Sequence, residues 1–217
     1  MNTIAVIPAF NAEERLASVI RTVGNYLADI LVVDDGSSDA TPKIAVSLGA
    51  SVISHLSNMG KGAALKTGFK FAVDRNYDSA LTLDADGQHR ADYIPAFLRL
   101  SGDSDLIIGS RIHNKLNMPW DRRFSNWSSS AVLSRLLQVK IEDAQSGFRL
   151  HSRRLLETLE LESDRFELET EIIIRAVQAG FKIKFIPISV EYGLSYPTHM
   201  NSLIDTLRWC KMVLETI

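Results

Sequence analysis

Strand and helix alternate through the first 110 residues, and that rhythm leaves few folds open. Thr3 to Pro8, Ile30 to Val33, Ser51 to Ser54, Ala80 to Leu83 and Asp105 to Ile108 are short runs of strand character. Continuous apolar runs of this length suit strands buried on both faces. Helical spacing separates them. Leu16, Val19, Ile20, Val23 and Leu27 make one buried stripe, and Leu65, Phe69 and Val73 make another. Such alternation predicts a three-layer α/β/α fold around a mostly parallel sheet.

In a sheet of that kind, ligands sit outside the carboxyl ends of the strands. Three polar exits should therefore share one rim: Pro8, Ala9 and Phe10; Asp34 and Asp35; and Asp84, Ala85 and Asp86. Asp84 and Asp86 are two apart, so in extended backbone both carboxylates face one side. Gln88 keeps the same parity. This oxygen-only set suits Mg²⁺ or Mn²⁺, completed by water and a substrate phosphate. A metal so held should bind weakly to the free protein and tighten with nucleotide.

Other stretches carry two readings each. Asp34 can cap the helix that follows, or accept from a base and ribose; Asp39 and Thr41 already suffice as caps. Asn58-Met-Gly-Lys-Gly62 lacks the spacing of a phosphate loop. Gly60 and Gly62 make either a plain turn or a close backbone approach to a nucleotide, with Lys61 near phosphate. Residues 111–140 hold six Lys/Arg (Arg111, Lys115, Arg122, Arg123, Arg135, Lys140) against Asp121, in a chain of net charge −2. Arg111 begins that run at a strand's exit, where it suits an anionic acceptor or a diphosphate leaving group. Asp143 and Arg149 fall close together around Gly147, and Glu167, Glu169 and Glu171 fit the start of a helix. The five histidines show no metal-ligand spacing.

The second half is less regular. Gly109 to Arg123 reads as a long loop, Phe124 to Leu137 as a helix burying Phe124, Trp127, Ala131 and Leu136, and Ile141 to Leu150 as irregular strand. Helices are expected over Arg153 to Leu161 and Glu167 to Ala179. A strand broken by Pro187, and so an edge strand, is expected over Phe181 to Val190. The last helix, Asn201 to Ile217, carries Met200, Leu203, Ile204, Leu207, Leu214 and Ile217 as a stripe for the core or a homodimer. Asp205 and Glu215 balance Arg208 and Lys211 on it, which places membrane contact second.

Length 217 with 46% hydrophobic residues supports one domain. Its pattern changes after residue 110, which divides it into 1–110 and 111–217 with the final helix. The charge shows no nucleic-acid signature. A single cysteine, Cys210, and an N-terminus entering a strand at once imply a cytoplasmic protein without a signal peptide. No uninterrupted apolar stretch is long enough to span a bilayer.

Six motifs in order resemble family-2 glycosyltransferases, most of all the dolichyl- and polyprenyl-phosphate mannose or glucose synthase branch. They are Ile7-Pro-Ala-Phe-Asn-Ala-Glu13, Val32-Val-Asp-Asp-Gly-Ser37, Asn58-x-Gly-Lys-Gly62, Asp84-Ala-Asp-Gly-Gln-His89, Gly109-Ser-Arg111 and Asp143-x-Gln-Ser-Gly-Phe-Arg149. The resemblance implies a GT-A fold and inverting transfer from a GDP- or UDP-linked sugar. It implies that Pro8, Phe10 and Glu13 line the nucleoside pocket and Asp34 contacts the base. Asp84, Asp86 and Gln88 match the metal and diphosphate site, and Arg111 and Arg149 match basic positions near leaving group and acceptor. A lipid-phosphate acceptor needs no strong base, whereas a sugar hydroxyl would need Asp143 as one. The anchoring helices of some relatives are missing, so attachment at the membrane's cytoplasmic face would be peripheral or through a partner protein. A nucleotidyltransferase would want a glycine-rich basic exit after the first strand, and a silent binding module would be expected to lose Asp84 and Asp86.

Overall fold

The computed structural model describes residues 2–112, 120–190 and 202–217. Expectations resting on His113, Asn114, Lys115, Asn117, Pro119, His199, Met200 and Asn201 lie outside the described residues. Strands β1 (Thr3–Ala9), β2 (Ile30–Asp34), β3 (Ser51–Ser54), β4 (Ser79–Thr82), β5 (Leu106–Ser110), β6 (Arg149–Ser152) and β7 (Ile183–Pro187) form one seven-stranded sheet in the order β3-β2-β1-β4-β6-β5-β7. All neighbours pair in parallel except β6, which runs antiparallel to both β4 and β5. The expected three-layer, mostly parallel α/β sheet is present.

Helices α1 (Glu13–Gly24), α2 (Thr41–Ser47), α3 (Lys61–Asp74), α4 (Ile94–Leu100), α5 (Trp120–Leu137), α6 (Arg153–Thr158), α7 (Leu168–Gln178) and α8 (Ser202–Thr216) accompany the sheet. Two apolar clusters result. One gathers α1 and α4 residues such as Leu16, Val19, Ile94 and Phe97 with Ile7, Leu81 and Phe148. The other gathers Leu65, Phe69, Ile172 and Ile173 from α3 and α7 with Val6, Val33 and Ile108. Alternate residues of β1 thus enter opposite layers, as the period of a strand requires.

The boundaries moved in instructive places. A 3-10 turn (Ala91–Tyr93) precedes α4. The segment expected as strand over Ile141 to Leu150 is a loop until β6, which begins at Arg149. β7 is an edge strand, as Pro187 implied. Two helical faces are corrected. Among the described side chains of α5 the buried ones are Asn126, Ser129, Ser130 and Leu133, while Phe124, Trp127, Ala131 and Leu136 are exposed. Polar atoms of the buried face find partners, Ser130 Oγ accepting the Ala144 amide at 3.1 Å, so the face can be buried without being apolar. In α8 Met212 and Val213 are buried, and Trp209 donates to Thr170 Oγ1 at 3.1 Å. Leu207, Leu214 and Ile217, expected in the stripe, face outward, which overturns the core role for them and not the homodimer one; the side chains of Leu203 and Ile204 lie outside the described residues.

Candidate active site

The carboxyl ends of β1, β2 and β4 point to one rim because these strands are parallel. A cavity of about 580 Å³ opens there. From the first exit it is lined by Pro8, Ala9, Phe10, Asn11, Glu13 and Arg15; from the second by Asp35 and Asp39; from the third by Asp84, Ala85 and Asp86. Asn58, Gly60 and Lys61 add a wall before α3, and Arg165 and Phe166 add one before α7. The three rim segments converge as the parallel sheet demanded.

The first exit is locked by reciprocal hydrogen bonds. Glu13 Oε2 accepts the Ala40 amide at 2.9 Å, and Asp39 Oδ2 accepts the Glu13 amide at 3.1 Å. Asn11 takes a left-handed φ of 48°, a conformation asparagine tolerates. At the second exit, adjacent residues project to opposite sides. Asp34 turns in and accepts the Ser37 amide at 3.1 Å, closing the turn before α2 and not capping the helix itself, which begins at Thr41. Asp35, not Asp34, lines the cavity, and this corrects the expected base contact. Asp35 also fixes the next wall, accepting the amides of Met59 (2.9 Å) and Gly60 (2.8 Å) and meeting His55 Nδ1 at 2.8 Å. His55 is thus structural, its Nε2 2.9 Å from Thr67 Oγ1.

The glycine pair serves a protein contact. A Cβ on Gly60, whose φ is +106°, would strike the Asp164 carbonyl, and one on Gly62 would meet the Asp164 carbonyl carbon at 2.5 Å. The Ala63 amide donates to that same carbonyl at 2.9 Å. The close backbone approach foreseen at these glycines is therefore made to the segment before α7. It brings Arg165 and Phe166 into the cavity, two residues the sequence reading missed. The glycine spacing was the signal for them.

Charges concentrate at the third exit. Lys61 Nζ lies 2.6 Å from Asp84 Oδ1 and 2.9 Å from Glu169 Oε1. Burial works against the ammonium, but Asp84 and Glu169 outweigh it and hold the Lys61 pKa above its ordinary value. For Asp84 burial is likewise outweighed, by Lys61 and by His89 at 3.5 Å, and its carboxyl stays well below the usual range. Burial and the Asp84 charge push the Asp86 carboxyl up. Among the described residues no cationic side chain pairs with Asp86; its Oδ1 accepts the Gln88 amide at 2.9 Å. Gln88 contributes that amide and does not line the cavity. Gly147 packs so closely that a Cβ there would meet both Asp84 oxygens at 2.8 Å.

These residues fit a divalent cation. Two half-buried carboxylates line the same cavity, and desolvation together with the Asp84 charge drives Asp86 toward protonation, a strain that a shared metal relieves. The hard oxygen set matches Mg²⁺ or Mn²⁺ chemistry.

The remaining expected residues lie apart from the cavity lining. Asp143 is fully buried. Its Oδ2 accepts from Arg111 Nε at 2.8 Å and from the Arg111 amide at 3.0 Å, and its Oδ1 accepts from Arg111 Nη2 at 2.9 Å and the Gln145 amide at 3.1 Å. Burial alone would raise this carboxyl; Arg111 overrides it and holds the pKa low. A fully buried carboxylate clasped on both oxygens has no orbital left for a substrate proton, which corrects the expected base. Arg149 is buried as well. It donates to the carbonyls of Ser146 (2.6 Å), Ala144 (2.9 Å) and Glu169. Its guanidinium binds backbone, and this corrects the expected place beside the leaving group. His151, buried beside Arg149, has its pKa pushed down to about 3.

Known proteins resemble this arrangement. The model of glycosyl transferase family 2 matches residues 4–160. UDP-N-acetylglucosamine--dolichyl-phosphate N-acetylglucosaminyltransferase of Methanococcus voltae is 32% identical, over 90% of this chain and 89% of that protein. Polyprenol monophosphomannose synthase of Mycolicibacterium smegmatis is 31% identical, over 92% of this chain and 82% of that protein. Glucosyl-3-phosphoglycerate synthase from Mycobacterium tuberculosis, solved with Mn²⁺, uridine-diphosphate-glucose and phosphoglyceric acid, superposes with a TM-score of 0.76 over 99% of this chain and 79% of that one. At 20% identity that likeness speaks for the GT-A fold alone. With the family model spanning most of the chain, this protein belongs to glycosyl transferase family 2 and is a glycosyltransferase.

Proposed function

We propose that this chain moves a hexose from a GDP- or UDP-linked sugar to a polyprenyl-type lipid phosphate, with inversion at the anomeric carbon. The observation that carries the reading is one cavity joining the Pro8-to-Glu13 wall to Asp84 and Asp86. The nucleoside would lie against Pro8, Phe10 and Glu13, with Asp35 at its edge and Lys61 toward the phosphates. Asp84 and Asp86 would hold Mg²⁺ or Mn²⁺. A bound divalent cation supplies charge neutralisation to the departing diphosphate.

The acceptor oxygen forms a bond to the anomeric carbon while the bond to the diphosphate breaks, its electron pair leaving with the nucleoside diphosphate. A phosphate monoester is already largely dianionic at neutral pH, with a second pKa of about 6. Its oxygen needs orientation more than deprotonation. The Asp143–Arg111 pair supports this class over a hydroxyl acceptor, because the one expected base is occupied. Arg111, fixed by two side-chain bonds, would orient the acceptor phosphate. The relatives whose names state a dolichyl-phosphate or polyprenol acceptor point the same way.

Within this reading, residues 1–110 bind the donor and 111–217 serve the acceptor, although Arg165 and Phe166 also reach the donor cavity. No described helix is long and apolar enough to cross a membrane. The chain would meet its acceptor from the cytoplasmic face, peripherally or through a membrane partner. The test is a panel of GDP- and UDP-hexoses with a polyprenyl phosphate and Mg²⁺ or Mn²⁺, following released nucleoside diphosphate. Acceptor-dependent release from one donor is expected; none from any donor would sink the proposal.

A further inference from the structure

Gly60 and Gly62 pin the segment before α7 to the wall of the donor cavity. A Cβ on Gly60 would strike the Asp164 carbonyl oxygen and meet Arg165 Cγ at 2.8 Å. A Cβ on Gly62 would meet the Arg165 amide nitrogen at 2.8 Å and its carbonyl oxygen at 2.7 Å. Lys66 Nζ holds the same segment, 2.6 Å from Asp164 Oδ1, and the Leu168 amide donates to the Arg165 carbonyl at 3.3 Å. The backbone and the stem of Arg165 are therefore fixed, while its head is unused. The residue is exposed and lines the cavity. Among the described residues, none takes a hydrogen bond or an ion pair from its guanidinium. A planar cation held in place with idle donors is a preorganised binding group.

The neighbours of Arg165 say where that head stands. Gly60, beneath the stem, donates its amide to Asp35 Oδ2 at 2.8 Å, at the proposed nucleoside end of the cavity. The next residue, Phe166, has its ring 6.0 Å from Lys61 Nζ, which sits on Asp84 at the phosphate end. Arg165 and Phe166 thus run along the donor in the order nucleoside, phosphate. The two walls also come from different layers of the fold. Residues 8–13 lead into α1, which packs in one apolar cluster, whereas α3 and α7 pack in the other. The cavity lies between these walls at the sheet's rim, so Arg165 reaches it from across the Pro8 wall.

We infer that the Arg165 guanidinium stacks on the nucleobase of the donor and closes it against the Pro8-to-Phe10 wall. A base has two apolar faces, and one wall covers only one of them. The guanidinium is planar, weakly hydrated and drawn to π faces, so it suits the second. A phosphate contact fits less well, because Lys61 already stands at that end with Asp84 and Asp86. Every base has a π face, so this contact adds affinity without choosing between uracil and guanine. The inference deepens the nucleotide-sugar reading above and rests on it.

Calorimetric titration of the full chain tests it with UDP, GDP and inorganic pyrophosphate, each in the presence of Mn²⁺. The parent should bind at least one of the two nucleotides more tightly than pyrophosphate. Arg165→Ala should weaken that nucleotide about tenfold and leave pyrophosphate unchanged. Arg165→Lys keeps the charge and loses the plane, so its nucleotide affinity should stay within about threefold of Arg165→Ala. The thermal midpoint of the free chain should match the parent in both variants, since the head has no partner to lose. A lowered midpoint would give the head a structural role and count against the inference. Equal nucleotide affinity in Arg165→Ala and parent overturns it and leaves the donor reading standing. So does an equal fall for pyrophosphate, or full recovery in Arg165→Lys, either of which makes Arg165 a phosphate ligand. A parent that binds neither UDP nor GDP defeats the donor reading and this inference together.

Discussion

Lys61 Nζ stands 2.6 Å from Asp84 Oδ1, so an ammonium already occupies one of the two carboxylates proposed to share a metal. Glu169 offers the same ammonium a second seat at 2.9 Å. A divalent cation arriving with the donor must compete with Lys61 for Asp84, and Glu169 makes that competition easier. Glu169→Gln should therefore leave Lys61 on Asp84 and raise the Mn²⁺ concentration for half-saturation about tenfold, close to one unit of charge interaction. Calorimetric titration of Mn²⁺ in the presence of UDP or GDP measures this. Unchanged affinity would mean that Glu169 plays no part in seating the metal.

Arg149 should matter to stability more than to rate. Its three carbonyl partners knit the loop before β6 to the start of α7. Lysine cannot reproduce a planar fork, so Arg149→Lys should cost about 2–4 kcal/mol of unfolding free energy. Urea denaturation reads the loss. Turnover well below the midpoint should stay within about threefold of the parent. A large fall in turnover with native stability would return Arg149 to the chemistry.

For Asp143 the pH dependence has a definite sign. Its folded pKa lies below the unfolded value of about 3.9, so its stabilising contribution is complete above that value and fades as pH falls through the folded pKa. Asp143→Asn should therefore weaken the fold at pH 7 and converge with the parent in strong acid. With polyprenyl phosphate as acceptor, the variant should raise acceptor KM and lower kcat by less than about tenfold, as expected for an Arg111 clamp rather than a lost base. A loss of about a thousandfold in kcat with acceptor KM unchanged would reinstate the base.

At Gly147 one methyl group should suffice. The Cβ of Gly147→Ala would lie 2.8 Å from both Asp84 oxygens and force the carboxylate aside. Displacements of this order at a reacting centre cost about ten- to a hundredfold in turnover. Circular dichroism should be unaltered while Mn²⁺ affinity in the presence of nucleotide falls. Parental affinity and rate would show that Asp84 has room to move.

The rim was legible because strand periodicity and parallel pairing are local facts written in apolar runs. Asp84, Asp86, Lys61 and the Pro8-to-Glu13 wall all meet where a parallel sheet puts them. Partner choice was not legible. Asp143 and Arg149 look alike in sequence to site residues, yet each is satisfied internally, one by a guanidinium and one by carbonyls three, five and twenty residues away. α5 misled for a related reason. Apolarity pointed its aromatics inward, but Ser130 and Asn126 can be buried because backbone and side-chain groups satisfy them. Hydrogen-bond closure, which no periodicity encodes, decided both.

β6 carries a consequence for how the molecule comes to be made. β4 and β5 do not pair with each other; each waits for a strand that lies between them, and Thr82 pairs with Arg149 across 67 positions of sequence. During synthesis the donor wall can consolidate early from β1 to β4, leaving β4 with an open edge until residue 152 has emerged. Closure of so long a loop is slow, and an unpaired edge is a site for wrong partners. The same strand sets Gly147 against Asp84. The step that completes the sheet is thus the step that fixes the Asp84 carboxylate in place, and a nascent chain halted before β6 would hold Asp84 and Asp86 without the Gly147 backbone that packs against Asp84.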